Sequence, residues 1–391
     1  SILSRHNLEI TQAELAKCRE AIRNGKIWQL AEERSHSSPQ LRVAFLWVLE
    51  QLAHPDEGPI GDCILDIISS TNPVRKGGEN MSHDIELRPH ILHSQALIAT
   101  RWKIPGSWWD DSKSSPKKLI IIEKSSPPWR LSSLDNIISY LIETPNSIPL
   151  ILTPIGIIPY SLEDLSPWCH LDGDNDMWNI EYDDEEILDF LSELNLENIP
   201  FVRIKPESDL IINSDSELKI RNWLDRCSIV DKLSVLCSIN PNDGCKLTSS
   251  MTSRKSNTDR MVNVYSQELH ILSPRLNDGG ISLTVEGAKK LLDNRIPNSF
   301  EDYDIDSEFL GLPKVCINDD AKPFVGIGRN VMHGYILAAD SHIIPGQPCL
   351  IVDSDGHLIA HGIALTSSKE MNFFKKGIAV KVRDGVLKNN L

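Results

Sequence analysis

Five basic residues near the C-terminal end of this 391-residue chain have the chemistry to bind an anionic ligand: Arg329, Lys375, Lys376, Lys381 and Arg383. The stretch "GIAVKVRDG" (377–385) alternates apolar and polar residues, which predicts a half-buried strand whose Ile378, Val380 and Val382 share the buried face. Lys381 and Arg383 fall on the opposite face. There they either contact phosphate groups or form an ordinary solvated surface, and the spacing alone leaves both interpretations open.

The uneven distribution of charge makes the C-terminal end of the chain the more favourable place for a polyanion to bind. The net charge is −15, yet residues 321–391 carry eight Lys and Arg against five Asp and Glu, a local charge of +3. Residues 161–200 carry thirteen acidic residues and no Lys or Arg. A polyanion would be steered toward the C-terminal end, although the acidic block could equally serve only solubility.

Other candidate sites are weaker. The eight cysteines are scattered without a C-x-x-C pair, which favours reduced thiols over disulfides or a zinc site contained in this chain. "GIGRNVMHG" (326–334) has no preceding strand and no G-K-S/T, so it is not a phosphate loop. "DGDNDMW" (172–178) lacks the distal Glu of a calcium loop and predicts an acidic turn. Four histidines lack a triad-like partner and are expected to be structural: His36, His170, His333 and His361.

Composition places the chain among ordinary globular proteins. Hydrophobic residues make up 40%, and no run approaches the roughly 20 apolar residues that span a bilayer. The N-terminal stretch has no signal-peptide character, so we expect a cytoplasmic location and no membrane partner. Because the overall charge is acidic, we expect no DNA partner.

The elements that would position these residues can be predicted along the chain. Residues 11–53 predict two helices, the first begun by a capping box of Thr11 and Glu14 and ended at Asn24-Gly25, the second begun at Ser38-Pro39. Residues 54–87 are rich in Gly, Pro and Ser and predict a long connection.

Buried strands and amphipathic helices alternate in the next region. Strands are predicted at 117–123, 148–154 and 199–204, and helices at 134–143 and 184–194, which together indicate a small α/β layer domain. Residues 240–312 are weakly periodic and predict an α+β linker domain with a mobile basic loop at 249–260. A hairpin turning at Asp355-Gly356 is predicted within 348–365.

Residues 324–385 resemble a PUA domain, a small RNA-binding β-barrel. The elements follow the order of that family: a short helix with Gly328-Arg329, a strand, a P-G turn at Pro345-Gly346, the V-D-x-D-G hairpin, the helical "EMNFF" and the closing "GIAVKVR". In the archaeal proteins that it resembles, the domain holds the end of the tRNA acceptor stem. The resemblance implies that the five basic residues contact RNA, mostly its backbone.

Residues 5–41 resemble the end of the catalytic domain of archaeosine tRNA-guanine transglycosylases, and "LTPIGIIPYSLEDLSPWCHLD" (152–172) resembles a later segment of the same family. In that family the H-N-L histidine, His6 here, is the last ligand of a zinc site whose other ligands are cysteines of a C-x-C-x-x-C run. That run and the catalytic aspartates are absent here. The resemblance therefore implies no cofactor in this chain, with zinc and the barrel in a catalytic partner that completes the site at His6.

The sister family, archaeosine synthase, shares the 152–172 segment. After the first strand its members resemble P-C-S-x-x-K-P-Y-S-x-S, whereas this chain has "EKSSPPWRLSS" (123–133), without the cysteine and the lysine. If the chain is a synthase, the residues expected to bind substrate are Ser125, Trp129, Arg130 and Ser132. The departure puts amine transfer in doubt.

We therefore expect an α+β multidomain chain: an N-terminal helical segment (1–53), a small α/β layer domain (85–235), an α+β linker domain (240–312) and a C-terminal PUA β-barrel (313–391). The expected function is that of a tRNA-binding, non-catalytic subunit of a split archaeosine tRNA-guanine transglycosylase, which positions tRNA so that a D-loop guanine is modified. The alternatives are an archaeosine synthase, which transfers an amine donor such as lysine to 7-cyano-7-deazaguanine in tRNA, and a stand-alone RNA-binding protein.

Overall fold

The computed structural model describes residues 2–24, 26–53, 79–81, 85–105, 118–179, 181–205, 214–297, 309–343 and 345–388. The chain divides into two compact units, one formed by Ser1–Arg75 and Ser82–Ser94, the other by Lys76–Met81 and Gln95–Leu391. The connection predicted at 54–87 lies largely outside the described residues. Among the helices described, none is long and apolar enough to cross a membrane.

The first unit is helical. It contains α1 (Ile2–Asn24), α2 (Ile27–Ser35), α3 (Pro39–Ala53) and the start of α4 (Pro89–Arg101). Its small core joins α2 to α3: the rings of Trp28 and Phe45 lie 4.8 Å apart, and Leu49 packs beside them.

Two predictions for this unit are wrong and two are confirmed. Three helices occupy the region where two were predicted, because residues 27–35 form a separate helix. Thr11 does not cap a helix: it lies inside α1, and its hydroxyl donates to the carbonyl of Asn7 (2.8 Å). The predicted helix end at Asn24 and the predicted helix start at Pro39 are both confirmed.

The second unit begins with a four-stranded sheet. Its chain-order elements are β1 (Glu79–Asn80), β2 (Lys118–Ile122), α5 (Trp129–Ser132), α6 (Leu134–Glu143), β3 (Ser147–Thr153), β4 (Gly156–Pro159), β5 (Leu171–Asp172), α7 (Asn175–Trp178), α8 (Asp184–Glu193) and β6 (Phe201–Ile204). The strand order is β4-β3-β2-β6, while β1 and β5 form a separate parallel pair. β2 pairs in parallel with β3 and β6, and its residues 119–122 are fully buried, as expected of a parallel sheet. The three predicted strands and two predicted helices are confirmed.

A long helix, α9 (Ser214–Cys237), leads to an antiparallel sheet. The elements that follow α9 are α10 (Pro241–Leu247), β7 (Met251–Lys255), β8 (Met261–Ser266), β9 (Leu269–Pro274), β10 (Ile281–Leu283) and α11 (Val285–Leu291), with strand order β10-β9-β8-β7. The prediction of a mobile loop at 249–260 is wrong. β7 and β8 pair there as an antiparallel hairpin. The polar sequence misled the prediction because β7 lies at the sheet edge, where side chains remain solvated.

The C-terminal sheet has six strands. It comprises β11 (Lys314–Ile317), α12 (Lys322–Gly326), β12 (Val331–Met332), β13 (Ile336–Ala339), β14 (Pro348–Val352), β15 (Leu358–Ala364), α13 (Ser368–Phe373) and β16 (Ile378–Gly385), in the strand order β12-β16-β15-β14-β11-β13. The two edge strands, β12 and β13, are joined by only three residues, His333–Tyr335, so the sheet curls into a nearly closed barrel. The hairpin predicted at 348–365 is confirmed, with Gly356 at φ +84° in its loop.

The antiparallel sheet and the barrel share buried contacts. Leu350 of β14 is fully buried in the core formed by the antiparallel sheet and α9. Lys314 of β11 is almost fully buried, and its ammonium contacts the Asp293 carboxylate and donates a hydrogen bond to the Asp293 carbonyl (2.8 Å). Arg295 forms an ion pair with the buried Asp340. These contacts fix the barrel against the sheet that precedes it.

Candidate RNA-binding surface

The last strand of the barrel places two cations on its outer face. Ala379, Val380 and Val382 of β16 are buried, whereas Lys381 and Arg383 are exposed. The predicted alternation is thus confirmed over most of the strand. Ile378 departs from it and is 40% exposed. It pairs with the exposed Met332 at the start of the strand, where the barrel edge leaves both side chains uncovered.

The loop before β12 brings Arg329 close to this strand. The side-chain oxygen of Asn330 accepts a hydrogen bond from the backbone N–H of Val382 (3.1 Å), and the Arg329 N–H donates to the Phe324 carbonyl (3.0 Å). The loop is therefore anchored between Lys381 and Arg383. Arg329 itself is exposed.

Lys375 and Lys376 lie in the loop between α13 and β16. Gly377, at φ +97°, ends the loop, and its carbonyl accepts from the His333 N–H (3.1 Å), which holds the loop against β12. Phe373 precedes the lysines and is 79% exposed. An exposed aromatic ring beside two lysines is suited to base stacking next to phosphate contacts.

The five cations share one electrostatic property. None of them forms an ion pair with a residue in the described part of the chain, and all are exposed. Neighbouring lysines differ: Lys322 pairs with Asp319 (2.7 Å) and Asp353 (3.0 Å), and Lys388 pairs with Asp384 (3.2 Å). The five cations, which we call the β16 cation row, therefore remain available to an anionic ligand.

The four histidines that were predicted to be structural differ in burial and in hydrogen bonding. His333 and His361 are buried, and burial lowers the pKa of His361 to about 4, so its ring is neutral. His170 differs from the prediction because the Ser166 hydroxyl lies 2.8 Å from its Nδ1. The short turn that carries both residues produces this contact, which the sequence spacing did not reveal. His36 is exposed.

The residues considered for a synthase site differ in their exposure. Trp129 is fully buried, with its ring 6.0 Å from that of Trp178. Ser125 is buried and Ser132 is exposed, with its hydroxyl 3.2 Å from that of Ser133. The guanidinium of Arg130 forms ion pairs with carboxylates inside the protein.

Arg130 belongs to a buried ionic cluster. Its guanidinium contacts the carboxylates of Glu163 (3.3 Å) and Asp225 (3.4 Å) and donates to the Asp259 carbonyl (2.8 Å). Lys255 pairs with Asp225 (2.7 Å) from the β7–β8 hairpin. Burial and the neighbouring Asp164 raise the pKa of Glu163, while Arg130 opposes this shift. The cluster joins the parallel sheet, α9 and the antiparallel sheet.

A cavity of about 420 Å³ lies beside this region, between α6 and the end of β6. Its lining consists of Glu123, Asn136, Ser139, Tyr140, Glu143, Arg203, Ile204 and Lys205. Glu123 pairs with Arg203, which also contacts Asp184 (3.0 Å). None of the four residues named for a synthase lines this cavity.

Among the described residues, no set of metal ligands assembles around His6. His6 is exposed on α1, and Cys18, the described cysteine that follows it along the same helix, lies twelve residues further on, about 18 Å away at 1.5 Å per residue. A zinc site at His6 would thus need its other ligands from outside the described residues. Asp353, Asp355 and His357 lie close enough for a cation, but Asp353 already accepts backbone N–H groups of its turn and pairs with Lys322.

Comparisons with known proteins identify the class of the barrel first. Residues 313–386 match the PUA domain family, so the nearly closed C-terminal barrel is a PUA domain. A PUA-domain protein from Thermoplasma acidophilum aligns over 32% of this chain and 68% of its own, with 19% identity and a TM-score of 0.23.

Other relatives align with nearly the whole chain. It is 26% identical to the tRNA-guanine(15) transglycosylase of Methanocaldococcus jannaschii, over 98% of this chain and 53% of that protein. Identity is 25% with the enzyme of the same name from Methanothermobacter thermautotrophicus, over 98% and 54%. The chain is therefore a homologue of the archaeal tRNA-guanine(15) transglycosylases along nearly its whole length, which confirms the resemblance found in the sequence. It spans about half the length of these relatives.

Proposed function

We propose that this protein binds tRNA and serves as the non-catalytic subunit of a split tRNA-guanine transglycosylase of the archaeosine pathway. The observation that carries the proposal is the β16 cation row, a set of five exposed cations on a PUA domain that have no acidic partner in the part of the chain that the structure describes. Such cations bind phosphate groups through charge and hydrogen bonds, which position a nucleic acid without reading its sequence. The relatives named for tRNA modification make tRNA the polyanion to test.

The division of labour follows from what each part would supply. Exchange of a guanine base requires the nucleotide to leave its stack and enter an active site. This chain would hold the tRNA in register through the PUA domain, while a partner barrel would contribute the aspartates and zinc. Holding the reacting nucleotide in place lowers the entropic part of the barrier, so a subunit without catalytic residues still contributes to the rate.

The test is isolation of the tagged protein from its native cells, with intact-mass measurement of the chain and identification of its partners. We expect a stoichiometric transglycosylase barrel on a separate polypeptide, and guanine exchange into tRNA only when both chains are present. A barrel found on the same polypeptide would overturn the split arrangement. Full exchange by the barrel alone would overturn the positioning role.

Archaeosine synthase is the second candidate, and the cavity beside Glu123 is the observation that favours it. The cavity adjoins the 123–133 loop and contains acidic, basic and hydroxyl groups that could hold a small polar donor. The chain alone would be incubated with lysine and tRNA that carries 7-cyano-7-deazaguanine, and the nucleosides would be analysed by mass spectrometry. A lysine-dependent product would select the synthase. Tight binding of structured RNA with neither activity nor partner would select a stand-alone RNA-binding protein.

A further inference from the structure

Helix α1 leaves its apolar residues uncovered by the described part of the chain. No described side chain between Ile2 and Ile22 is buried, and only Glu14, Cys18 and Ala21 are partly covered. The Glu14 carboxylate pairs with Arg34 of α2 (2.9 Å), so α2 covers part of the second half of α1.

Three of the exposed apolar residues of α1 lie along one side of the helix. Leu8, Leu15 and Ile22 recur every seven residues, and at 3.6 residues per turn this spacing keeps them on nearly the same side of the helix. Leu8 is 58% exposed and Leu15 is 49% exposed. A heptad stripe of this kind is the pattern by which one helix packs along another.

Helix α3 has two apolar faces. Phe45 and Leu49 pack against Trp28, but Val43, Leu46 and Trp47 on the other side are exposed. A helix with apolar residues on both sides normally lies between two neighbours. Trp47, at 45% exposure, has the amphipathic ring that most often dominates the energy of a protein interface.

The number of exposed apolar side chains on α1 and α3 is unusual for a helical unit that has no binding partner. Isolated helices are marginally stable in water, and most helical stability comes from packing an apolar face. Contiguous exposed apolar surface in soluble proteins usually marks an interface. The described residues supply no second neighbour for either helix face within this unit.

We propose that the exposed faces of α1 and α3, here called the N-terminal apolar surface, form the docking site for the catalytic barrel subunit. This inference rests on the proposed function, because it locates the contact that a split enzyme needs. The homologues are nearly twice as long as this chain, so close to half of each one has no counterpart here. The part of the homologues that does not align with this chain is the part that would cover the N-terminal apolar surface, through a mainly apolar interface.

The test uses the full chain co-expressed with the barrel protein identified from native cells. Leu8→Glu, Leu15→Glu and Trp47→Ala are compared with Leu218→Glu, a matched control at a 61% exposed leucine on α9. Each of the first three is expected to weaken the association at least about 30-fold, since truncating or charging an anchor residue at an interface removes a large share of its energy. The control should bind like the unaltered chain.

The outcomes separate the two proposals. If the unaltered chain binds no barrel, the proposed function fails. If it binds a barrel and the three variants bind equally well, only the docking site is overturned. Two other results also overturn the docking site. The first is self-association of the unaltered chain that the variants abolish. The second is a lower melting temperature of the variants when they are measured without the barrel protein, because this would mean that the surface is covered within the chain itself. Unchanged melting together with lost association supports the proposal.

Discussion

The buried ionic cluster around Arg130 and the β16 cation row place the same residue types in opposite situations. Arg130 is surrounded by Glu163, Asp225 and Asp259, with little solvent access. Lys381 and Arg383 face solvent and lack acidic partners among the described residues. Both sets were candidates for ligand binding from sequence alone.

The difference between the two regions shows that pairing decides the role of a cation. A buried guanidinium whose donors are already used holds segments of the protein together, and removing it leaves uncompensated carboxylates. An exposed, unpaired cation contributes little to folding but can release counterions when it meets a phosphate. The following predictions test this contrast, from the largest expected effect to the smallest.

Arg130→Ala should reduce the free energy of unfolding by about 3 to 5 kcal/mol, because Glu163 and Asp225 would remain buried without their partner. Denaturant titration followed by tryptophan fluorescence measures this loss, since Trp129 is adjacent. The control is Ser132→Ala. An Arg130→Ala protein of normal stability would contradict the structural role of the cluster.

Asp231 gives the second prediction, a dependence of stability on pH. Burial raises the pKa of Asp231 to about 7, and hydrogen bonds that the Ser161 hydroxyl and the Trp102 N–H (2.9 Å) donate to its Oδ2 oppose part of this rise. The folded protein therefore holds this proton more tightly than the unfolded chain, and stability falls as pH rises from about 4 to about 7. Asp231→Asn should remove about 2 kcal/mol of the change between pH 5 and pH 7.

Chemical denaturation at several pH values, with the unaltered protein and Asp231→Asn measured side by side, checks this prediction. Comparing the two proteins cancels the contributions of the other carboxylates. Equal slopes for both proteins would mean that Asp231 is already ionised near pH 5.

Lys381→Ala and Arg383→Ala should each weaken tRNA binding about fivefold, near 1 kcal/mol, and lower the slope of log affinity against log salt by about one unit. Their unfolding free energies should stay within about 0.5 kcal/mol of the unaltered value, because both side chains are exposed. Filter binding at several salt concentrations measures both quantities. An affinity loss with an unchanged salt slope would argue against phosphate contacts.

Ser132→Ala should change neither stability nor tRNA affinity measurably, because the Ser132 side chain is exposed and its hydroxyl lies 3.2 Å from the equally short side chain of Ser133. Its value lies in the alternative function. If the chain alone makes a lysine-dependent product and Ser132→Ala abolishes it, the synthase interpretation of the 123–133 loop gains its first support.

Regular elements with strong patterns could be predicted from the sequence. The apolar run at 119–122 predicts a strand that is buried on both faces, as is usual in parallel sheets, and Asp355-Gly356 predicts a tight hairpin. The PUA domain could be recognised because its turns and strands follow in a fixed order. The alternation of apolar and polar residues in 377–385 placed Lys381 and Arg383 on the outer face.

Contacts between distant segments could not be predicted. Asp225 lies 95 positions from Arg130 in the sequence, and no residue near Arg130 indicates that the two will meet. From the sequence alone, Arg130 therefore resembles an unpaired guanidinium that could bind a ligand. The polar residues of β7 resembled a loop because edge strands tolerate polar side chains on both faces. In the same way, Ser166 and His170 meet only because a short turn folds them together.

The contacts of Leu350 and Lys314 bear on how such proteins can exchange parts during evolution. Leu350 completes the core of the preceding antiparallel sheet, and Lys314 carries a charge that Asp293 compensates. A recombination event that transferred residues 313–386 alone would leave a hole in the donor protein and a buried ammonium without its carboxylate in the recipient. The smallest segment that can be inherited intact therefore includes the antiparallel sheet together with the barrel.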